Sequence, residues 1–175
     1  MMSQSLSTKE KLINSAIKIF AQKGYWKAKV SDIVNDAGVA QGTFYLYFNS
    51  KKDCLKKVLL ILHEESISQM NNMLNSGANL LNIVIFFIKR VIKFKDISKV
   101  FLFEALASGD EFKDLYFQFK SHFRDILNKF SLKEEEISII LGTIREIIEQ
   151  DILYENRDEI HIIEKTKKIF KILNL

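Results

Sequence analysis

Apolar residues recur every three to four positions along most of this chain, the spacing that places them on one face of a helix. The first stripe pairs Leu12 with Ile13 and Ala16 with Ile17, between a Ser7–Glu10 capping-box spacing and Gly24. No segment alternates with a period of two, which argues against strands. The pattern predicts nine helices, over about 8–23, 31–37, 40–47, 51–73, 78–95, from 96 or 98 to 108, 110–130, from a Ser131 cap to 154, and 159–173.

The segment 24–52 combines two short amphipathic helices with a glycine turn. Ser31 to Ala37 forms the first helix, Gly38 lies where the chain reverses, and Ala40 to Tyr47 forms the second. Two helices joined by a short turn with glycine make a helix-turn-helix, whose second helix enters the DNA major groove. The alternative is an ordinary helical hairpin with core aromatics. Because Phe44 and Phe48 are four residues apart, we expect them in the core under either interpretation.

The same segment resembles the DNA-binding domain of the TetR family of bacterial transcriptional regulators. The residues that carry the resemblance are Ala37, Gly38, Val39, Gly42, Thr43, Phe44, Tyr45, Tyr47, Phe48, Ser50 and Lys51. The resemblance implies an all-α protein, with a three-helix helix-turn-helix domain over 1–52 and a ligand-binding and dimerisation bundle over 53–175. A fourth helix, over 51–74, would connect the two.

Charge and composition agree with that picture. The net charge is +4, and residues 1–57 contain ten lysines against four acidic residues, which is the asymmetry expected when one end meets a polyanion such as double-stranded DNA. Proline is absent and glycine occurs six times, which favours long helices. The single cysteine, Cys54, fits a reducing cytoplasm. The N-terminus lacks the apolar region of a signal peptide, and the longest apolar run, 83–88, is too short for a membrane span.

On the resemblance, we expect Lys29, Tyr47 and Lys51 to contact phosphate, and Gln41 with Thr43 to face base edges or the adjoining backbone. The full predicted DNA-binding set is Lys29, Ser31, Ala40, Gln41, Gly42, Thr43, Tyr45, Tyr47 and Lys51. Two positions depart from the family pattern. Ala28–Lys29 replaces the usual capping threonine of the second helix, so Ser31 would have to serve as the cap. Ala40–Gln41 replaces a common Ser-Lys pair, and glutamine can pair with adenine, so the operator preference should differ from that of typical members.

Ten of the fourteen phenylalanines fall between Phe86 and Phe130. They indicate either an all-α core built with phenylalanine or an aromatic pocket for an apolar effector of aromatic or acyl character. The family resemblance implies a ligand site in these helices. Its predicted residues are Phe86, Phe87, Arg90, Phe101, Phe103, Glu104, Tyr116, Phe119 and His122.

The last two predicted helices are rich in aliphatic residues on more than one side, and Gly142 lies within the first of the two. The resemblance implies that they pair with their copies in a homodimer; the alternative is a purely intramolecular bundle. The three histidines and Cys54 form no catalytic or metal-ligand spacing, so we predict no enzyme, metal site or cofactor. The chain is expected to be a ligand-responsive DNA-binding transcriptional regulator, and specifically a repressor that a small apolar effector releases from its operator. The alternative is a helical ligand-binding or adaptor protein without DNA binding.

Overall fold

The computed structural model describes residues 6–174, which contain helices and no strand. This confirms the all-α prediction. The helices are α1 Thr8–Lys27, α2 Val30–Ala37, α3 Gln41–Tyr45, α4 Lys51–Asn75, α5 Leu80–Lys93, α6 Lys95–Lys99, α7 Asp110–Leu127, α8 Glu134–Glu146 and α9 Glu159–Leu173. Short irregular helices extend three of them. Val100–Ala105 is π-helical after α6 and is followed by a 3-10 turn, Asn128–Phe130 is a 3-10 turn after α7, and Ile147–Tyr154 is π-helical after α8.

Side chains close the amino ends of the two longest helices, α1 and α4. The predicted capping box at α1 is present, with the Glu10 N–H on Ser7 Oγ at 3.3 Å and the Ser7 N–H on Glu10 Oε2 at 2.8 Å. At α4, Ser50 Oγ accepts the Asp53 N–H at 3.0 Å, but the Asp53 carboxylate takes the N–H of the preceding Asn49. Each bond satisfies an amide that the helix itself leaves unpaired.

The amino end of α8 differs from the prediction of a serine cap at Ser131. That residue has φ 55°, in the left-handed region, and closes the 3-10 turn after α7 instead. The helix begins after Lys133, whose N–H bonds to Glu136 at 2.7 Å. Three acidic residues in the first turn interact favourably with the positive end of the helix dipole and so stabilise the helix.

Two apolar cores hold the molecule together. The first joins α1, α2, α3 and the first half of α4 with α6, the π-helical segment and the start of α7. The second joins α5, α8 and α9 with the later parts of α4 and α7. Leu102 packs against both. The helix-turn-helix end therefore shares its core with residues 97–115 of the second half of the chain. It packs directly against that half and is not joined to it by a linker alone.

Candidate DNA-binding surface and effector cavity

A tight glycine turn sets the angle between α2 and α3. Gly38 has φ 67° and ψ 37°, a left-handed conformation that costs glycine nothing because it has no Cβ. Ile33 and Val34 of α2 and Phe44 of α3 face the first core and are almost completely buried. Phe48 is buried beside Phe44, with ring centroids 5.1 Å apart. The predicted core positions of this motif are confirmed.

The opposite face of the motif carries the predicted DNA-binding residues. Those exposed to solvent are Lys29, Ser31, Ala40, Gln41, Gly42 and Tyr45, whereas Thr43 and Tyr47 are half-buried. Leu46, at the end of α3, is 79% exposed and was not among the predicted contacts. An exposed leucine next to a recognition helix can make apolar contact with a thymine methyl group.

The amino end of α2 is closed by a residue other than the expected Ser31. Asp32 accepts the Lys29 N–H at 3.0 Å, and its other oxygen pairs with Lys23 at 2.7 Å. The hydrogen bond from Lys23, followed by that from Lys29, lowers the pKa of Asp32 below its usual value. Ser31 is left exposed in the first turn of α2, and Lys29, two residues before it, is exposed as well.

The sequence predicts that Lys51 contacts phosphate. In the structure its ammonium group bonds to backbone carbonyl oxygens of the protein itself. Its Nζ donates to the carbonyl oxygens of Tyr25 at 2.7 Å and Ala28 at 2.9 Å, and lies 4.6 Å from the centre of the Tyr25 ring. Burial lowers the pKa of Lys51, and the nearby Glu104 carboxylate partly opposes that shift. Lys57, two turns on, donates to the Tyr47 carbonyl at 2.9 Å. The start of α4 thus holds the chain just before α2 and just after α3.

A cavity of about 450 Å³ lies between α4, α5, α7, α8 and the α6 region, within the usual size range of small-molecule sites. Five predicted residues line it: Phe87, Arg90, Phe101, Tyr116 and Phe119. His122 lies just behind the wall, hydrogen-bonded to the lining residue His63 at 2.9 Å.

Three predicted pocket residues lie elsewhere. Phe86 packs against the second core, one helical step of about 100° away from the lining Phe87. Phe103 is 46% exposed on the outer side of the π-helical segment. The Glu104 carboxylate turns away from the cavity and accepts the Tyr25 N–H at 2.8 Å.

Two helices contribute lining residues that the sequence prediction left out. Helix α4 provides Leu59, Leu62, His63, Ser66, Ile67 and Met70. Helix α8 provides Ser138, Leu141, Gly142, Ile144 and Arg145, and its π-helical extension provides Ile148 and Glu149. Their apolar stripes were visible in the sequence, but a stripe does not reveal whether it faces a core or a cavity.

Polar groups on the α4 side of the cavity are paired with each other. The guanidinium of Arg90 donates to Ser66 Oγ at 3.1 Å, pairs with Glu65 at 3.2 Å and stacks over Phe94 at 4.6 Å. His63 stacks on Phe119 with ring centroids 3.9 Å apart. Burial, followed by the neighbouring His122, lowers the pKa of His63 to about 4. The imidazole is therefore neutral near pH 7.

The exposed side of the cavity is rich in cationic side chains. Lys120 and Arg124 of α7 face Arg145 of α8, and Glu149 is the anionic residue of the lining. Arg145 pairs with Glu149 at 2.8 Å, and Arg124 pairs with Glu134.

The predicted dimer helices divide their aliphatic residues between two sides. Ile140 and Ile144 of α8 are buried within the chain's own second core, and Gly142 borders the cavity. Ile139 of α8 is 48% exposed, and Ile160 and Ile172 of α9 are 76% and 77% exposed. The exposed isoleucines are the ones available to a second copy.

Residues 6–174 contain neither a metal-binding cluster nor a membrane-spanning helix. No group of three or more His, Cys, Asp or Glu side chains there could hold a metal ion. None of the helices in the same range is long and apolar enough to cross a membrane. Cys54 is completely buried, and burial raises the pKa of its thiol to about 12, which leaves it unreactive at neutral pH.

Comparison with protein families gives two matches that together cover most of the chain. Residues 12–58 match the model of the tetR family of bacterial regulatory proteins. Residues 78–173 match that of the tetracyclin repressor-like C-terminal domain.

Individual relatives agree with these matches. The HTH-type transcriptional regulator YvdT of Bacillus subtilis is 32% identical over 127 residues, which are 69% of this chain and 65% of that protein. The fatty acid metabolism regulator protein of B. subtilis is 41% identical over 58 residues, 33% of this chain and 28% of that protein. The chain thus spans less than two thirds of the length of these curated relatives.

Solved structures share the fold over nearly the whole chain. A transcriptional regulator of the TerR/AcrR family from Aquifex aeolicus has a TM-score of 0.83 at 27% identity, covering 95% of this chain and 99% of its own. FadR of B. subtilis, solved in complex with stearoyl-CoA, has a TM-score of 0.78 at 21% identity, covering 94% and 97%.

Proposed function

The chain belongs to the TetR family of bacterial regulatory proteins, a class of DNA-binding transcriptional regulators and not of enzymes, and on that premise we propose that it is a repressor released by an acyl-bearing effector. In this proposal the effector enters the cavity and lowers the affinity of the helix-turn-helix for its operator. The proposal has three parts: the link between cavity and DNA-binding helices, the effector class, and the dimer.

The single observation that carries the proposal is that one helix serves both sites. The first half of α4 contributes Cys54, Leu55 and Val58 to the first core, beneath the helix-turn-helix. The second half contributes His63 and Ser66 to the cavity wall. A ligand that favours a different tilt of α4 therefore changes the position of α2 and α3, and its differential affinity for the two states drives the shift.

An acyl chain fits the composition of the cavity. Apolar side chains from five elements form most of the wall, and Phe87 with Phe101 provides broad surfaces for a hydrocarbon chain. The paired Arg90 and the cationic mouth at Lys120 and Arg145 would meet a carboxylate or phosphate end. The stearoyl-CoA complex of B. subtilis FadR, a protein with the same fold, supports this effector class.

We further propose a homodimer through α8 and α9, with the exposed Ile139, Ile160 and Ile172 at the contact. Two copies would place two recognition helices on half-sites about one helical turn, ~34–36 Å, apart. On each half-site, Lys29 and Tyr47 would contact phosphate, while Gln41 and Thr43 would lie nearest the base edges.

The test is a gel-shift titration with DNA from upstream of the chain's own gene, using stearoyl-CoA, stearate and free CoA as separate probes. We expect release by a probe with the acyl chain and none by CoA alone. Stearate and stearoyl-CoA distinguish a carboxylate head from a phosphate-bearing one. Retention of the shift at all concentrations of both acyl probes would reject the acyl effector.

A cavity-filling variant sharpens the test. Gly142 borders the cavity, and no atom lies within 4 Å of a Cβ placed there, so the first atom of the new side chain in Gly142→Phe meets no neighbour. The new ring should obstruct the mouth, so operator binding is expected to persist while release by the probe is lost. Gln118→Phe, on an exposed position of α7 outside the lining, is the matched control and should respond like the wild type.

A further inference from the structure

Glu104 links the cavity wall to the DNA-binding end. It lies in the π-helical segment Val100–Ala105, one turn after Phe101, which lines the cavity. Its Oε2 accepts two amides of the stretch Gly24–Ala28, here called the connector, namely the Tyr25 N–H at 2.8 Å and the Trp26 N–H at 3.3 Å. The connector contains the last turn of α1, which the non-helical Gly24 separates from the rest of that helix. The connector leads directly into α2.

Gly24 permits this close approach. Its φ is +74°, a left-handed conformation that a residue with a side chain rarely adopts. A Cβ at this position would lie 2.5 Å from Glu104 Oε1 and 2.8 Å from Oε2. Any other residue would therefore displace the carboxylate from the two amides.

The other side of the connector is held by α4. Lys51 donates to the carbonyls of Tyr25 and Ala28, so the amides of the connector bond to the π-helical segment and its carbonyls bond to α4. The Tyr25 ring packs edge-on against the Phe112 ring with centroids 6.0 Å apart, and the Phe112 and Phe101 ring centroids are 6.5 Å apart. Both a hydrogen-bonded and an aromatic contact chain thus run from the cavity wall to the connector.

We propose that Glu104 is a positioning residue that couples the cavity to the helix-turn-helix, by a route separate from α4. A displacement of Phe101 by an occupant of the cavity moves the π-helical segment, and Glu104 transmits that movement to the connector and so to the orientation of α2. The proposal rests on the proposed function only in treating the cavity as the effector site. Its test therefore uses neither an effector nor DNA.

The first measurement is hydrogen exchange of the Tyr25 amide in the full chain. Glu104→Ala should speed exchange about tenfold or more, because a hydrogen bond to a charged acceptor is lost. Glu104→Gln should restore much of the protection, since its single carbonyl oxygen has two lone pairs for the two amides. The control is Glu111→Ala. It removes an exposed carboxylate that pairs α7 with Lys52 of α4, and it should leave the exchange rate of the Tyr25 amide unchanged.

The second measurement tests the coupling itself. Phe101→Leu and Phe87→Leu each shorten a phenylalanine of the cavity wall, but only Phe101 lies on the turn that carries Glu104. We expect Phe101→Leu to speed Tyr25 exchange by about 2- to 30-fold, the range for residues that transmit coupling. Phe87→Leu should leave it within a factor of about two. Amides of α9 serve as the reference for global unfolding.

A double variant distinguishes transmission through Glu104 from general loosening. If the proposal holds, Phe101→Leu has little further effect on Tyr25 in a Glu104→Ala background, because contacts in one network are not additive. The proposal is overturned if Glu104→Ala leaves the Tyr25 amide protected, if the two phenylalanine variants act alike, or if the effect of Phe101→Leu is the same with and without Glu104. None of these results bears on whether the chain is a repressor.

Discussion

Replacing Lys51 with methionine tests whether its ammonium supports the fold or binds DNA. In the structure its Nζ donates to the Tyr25 and Ala28 carbonyls at 2.7 and 2.9 Å. A hydrogen bond to a charged group contributes about 1.5–3 kcal/mol, and part of this is offset because the ammonium no longer has to be buried. Methionine keeps the length and apolar contact of the side chain. We therefore expect Lys51→Met to lower the free energy of unfolding by about 2 kcal/mol, measured by urea denaturation.

The salt dependence of DNA binding gives the second half of the test. Each phosphate contact contributes about −0.9 to the slope of log affinity against log salt, and a nonspecific duplex suffices to measure it. Lys51→Met should leave that slope unchanged. The matched control is Lys29→Met: this exposed lysine should lower the magnitude of the slope by about one while leaving the unfolding free energy unchanged. If Lys51→Met had normal stability and reduced the magnitude of the salt-dependence slope by about one, the reasoning would be refuted and Lys51 would be a phosphate contact.

Three further outcomes are expected. Because burial, followed by the neighbouring His122, lowers the pKa of His63 to about 4, the folded state binds fewer protons than the unfolded state between about pH 4 and 6.5. Stability should be fully present above pH 6.5 and fall as the pH drops through this window, by about 1–2 kcal/mol once the shift is discounted for solvent screening of the partly exposed ring. The fall should be smaller in His63→Phe and unchanged in His161→Gln, an exposed histidine, by urea unfolding across pH. Light scattering should give twice 20.4 kDa for the wild type and about 20 kDa for Ile139→Lys with Ile172→Lys; a monomeric wild type would exclude the dimer. Gln41→Ala should change which operator bases are preferred, at a cost of ~1–3 kcal/mol on the favoured base, whereas an equal loss on every operator variant would exclude base readout by Gln41.

The helix-turn-helix could be predicted from the sequence because its determinants are local. Gly38 at the turn and the spacing of Ile33, Phe44 and Phe48 fix the angle and the buried face within twenty residues. Helix starts were equally local where a serine lay three residues before an acidic partner, as at Ser7. The departure at Ser131 arises because that serine adopts a left-handed conformation that ends the preceding turn, so it cannot serve as the cap of α8.

The cavity could be predicted only in part. The phenylalanine-rich helices indicated its walls, but Phe86 and Phe87 are neighbours in sequence and point to different sides, and packing against α8 and α9 decides which one faces the cavity. Lys51 was assigned to phosphate on the family resemblance, and Glu104 was assigned to the effector because it lies among the phenylalanines. Their actual partners are backbone groups of the connector, 23 to 79 positions away, and a backbone carbonyl or amide leaves no trace in the sequence.

The geometry of α4 shows why its amino end must be held firmly if the cavity is to control DNA binding. Ser66 at the cavity and Lys51 at the connector are fifteen residues apart, or about 22 Å along a helix that rises 1.5 Å per residue. A tilt of about 5° at the cavity therefore moves the far end by about 2 Å. A flexible junction would absorb a displacement of that size. Here Lys51 and Lys57 bond to the chain just before α2 and just after α3, so we expect the two short helices to follow α4 as one body. In the proposed dimer, a shift of that size at each recognition helix would change the distance between the two helices and so weaken binding to half-sites about one helical turn apart.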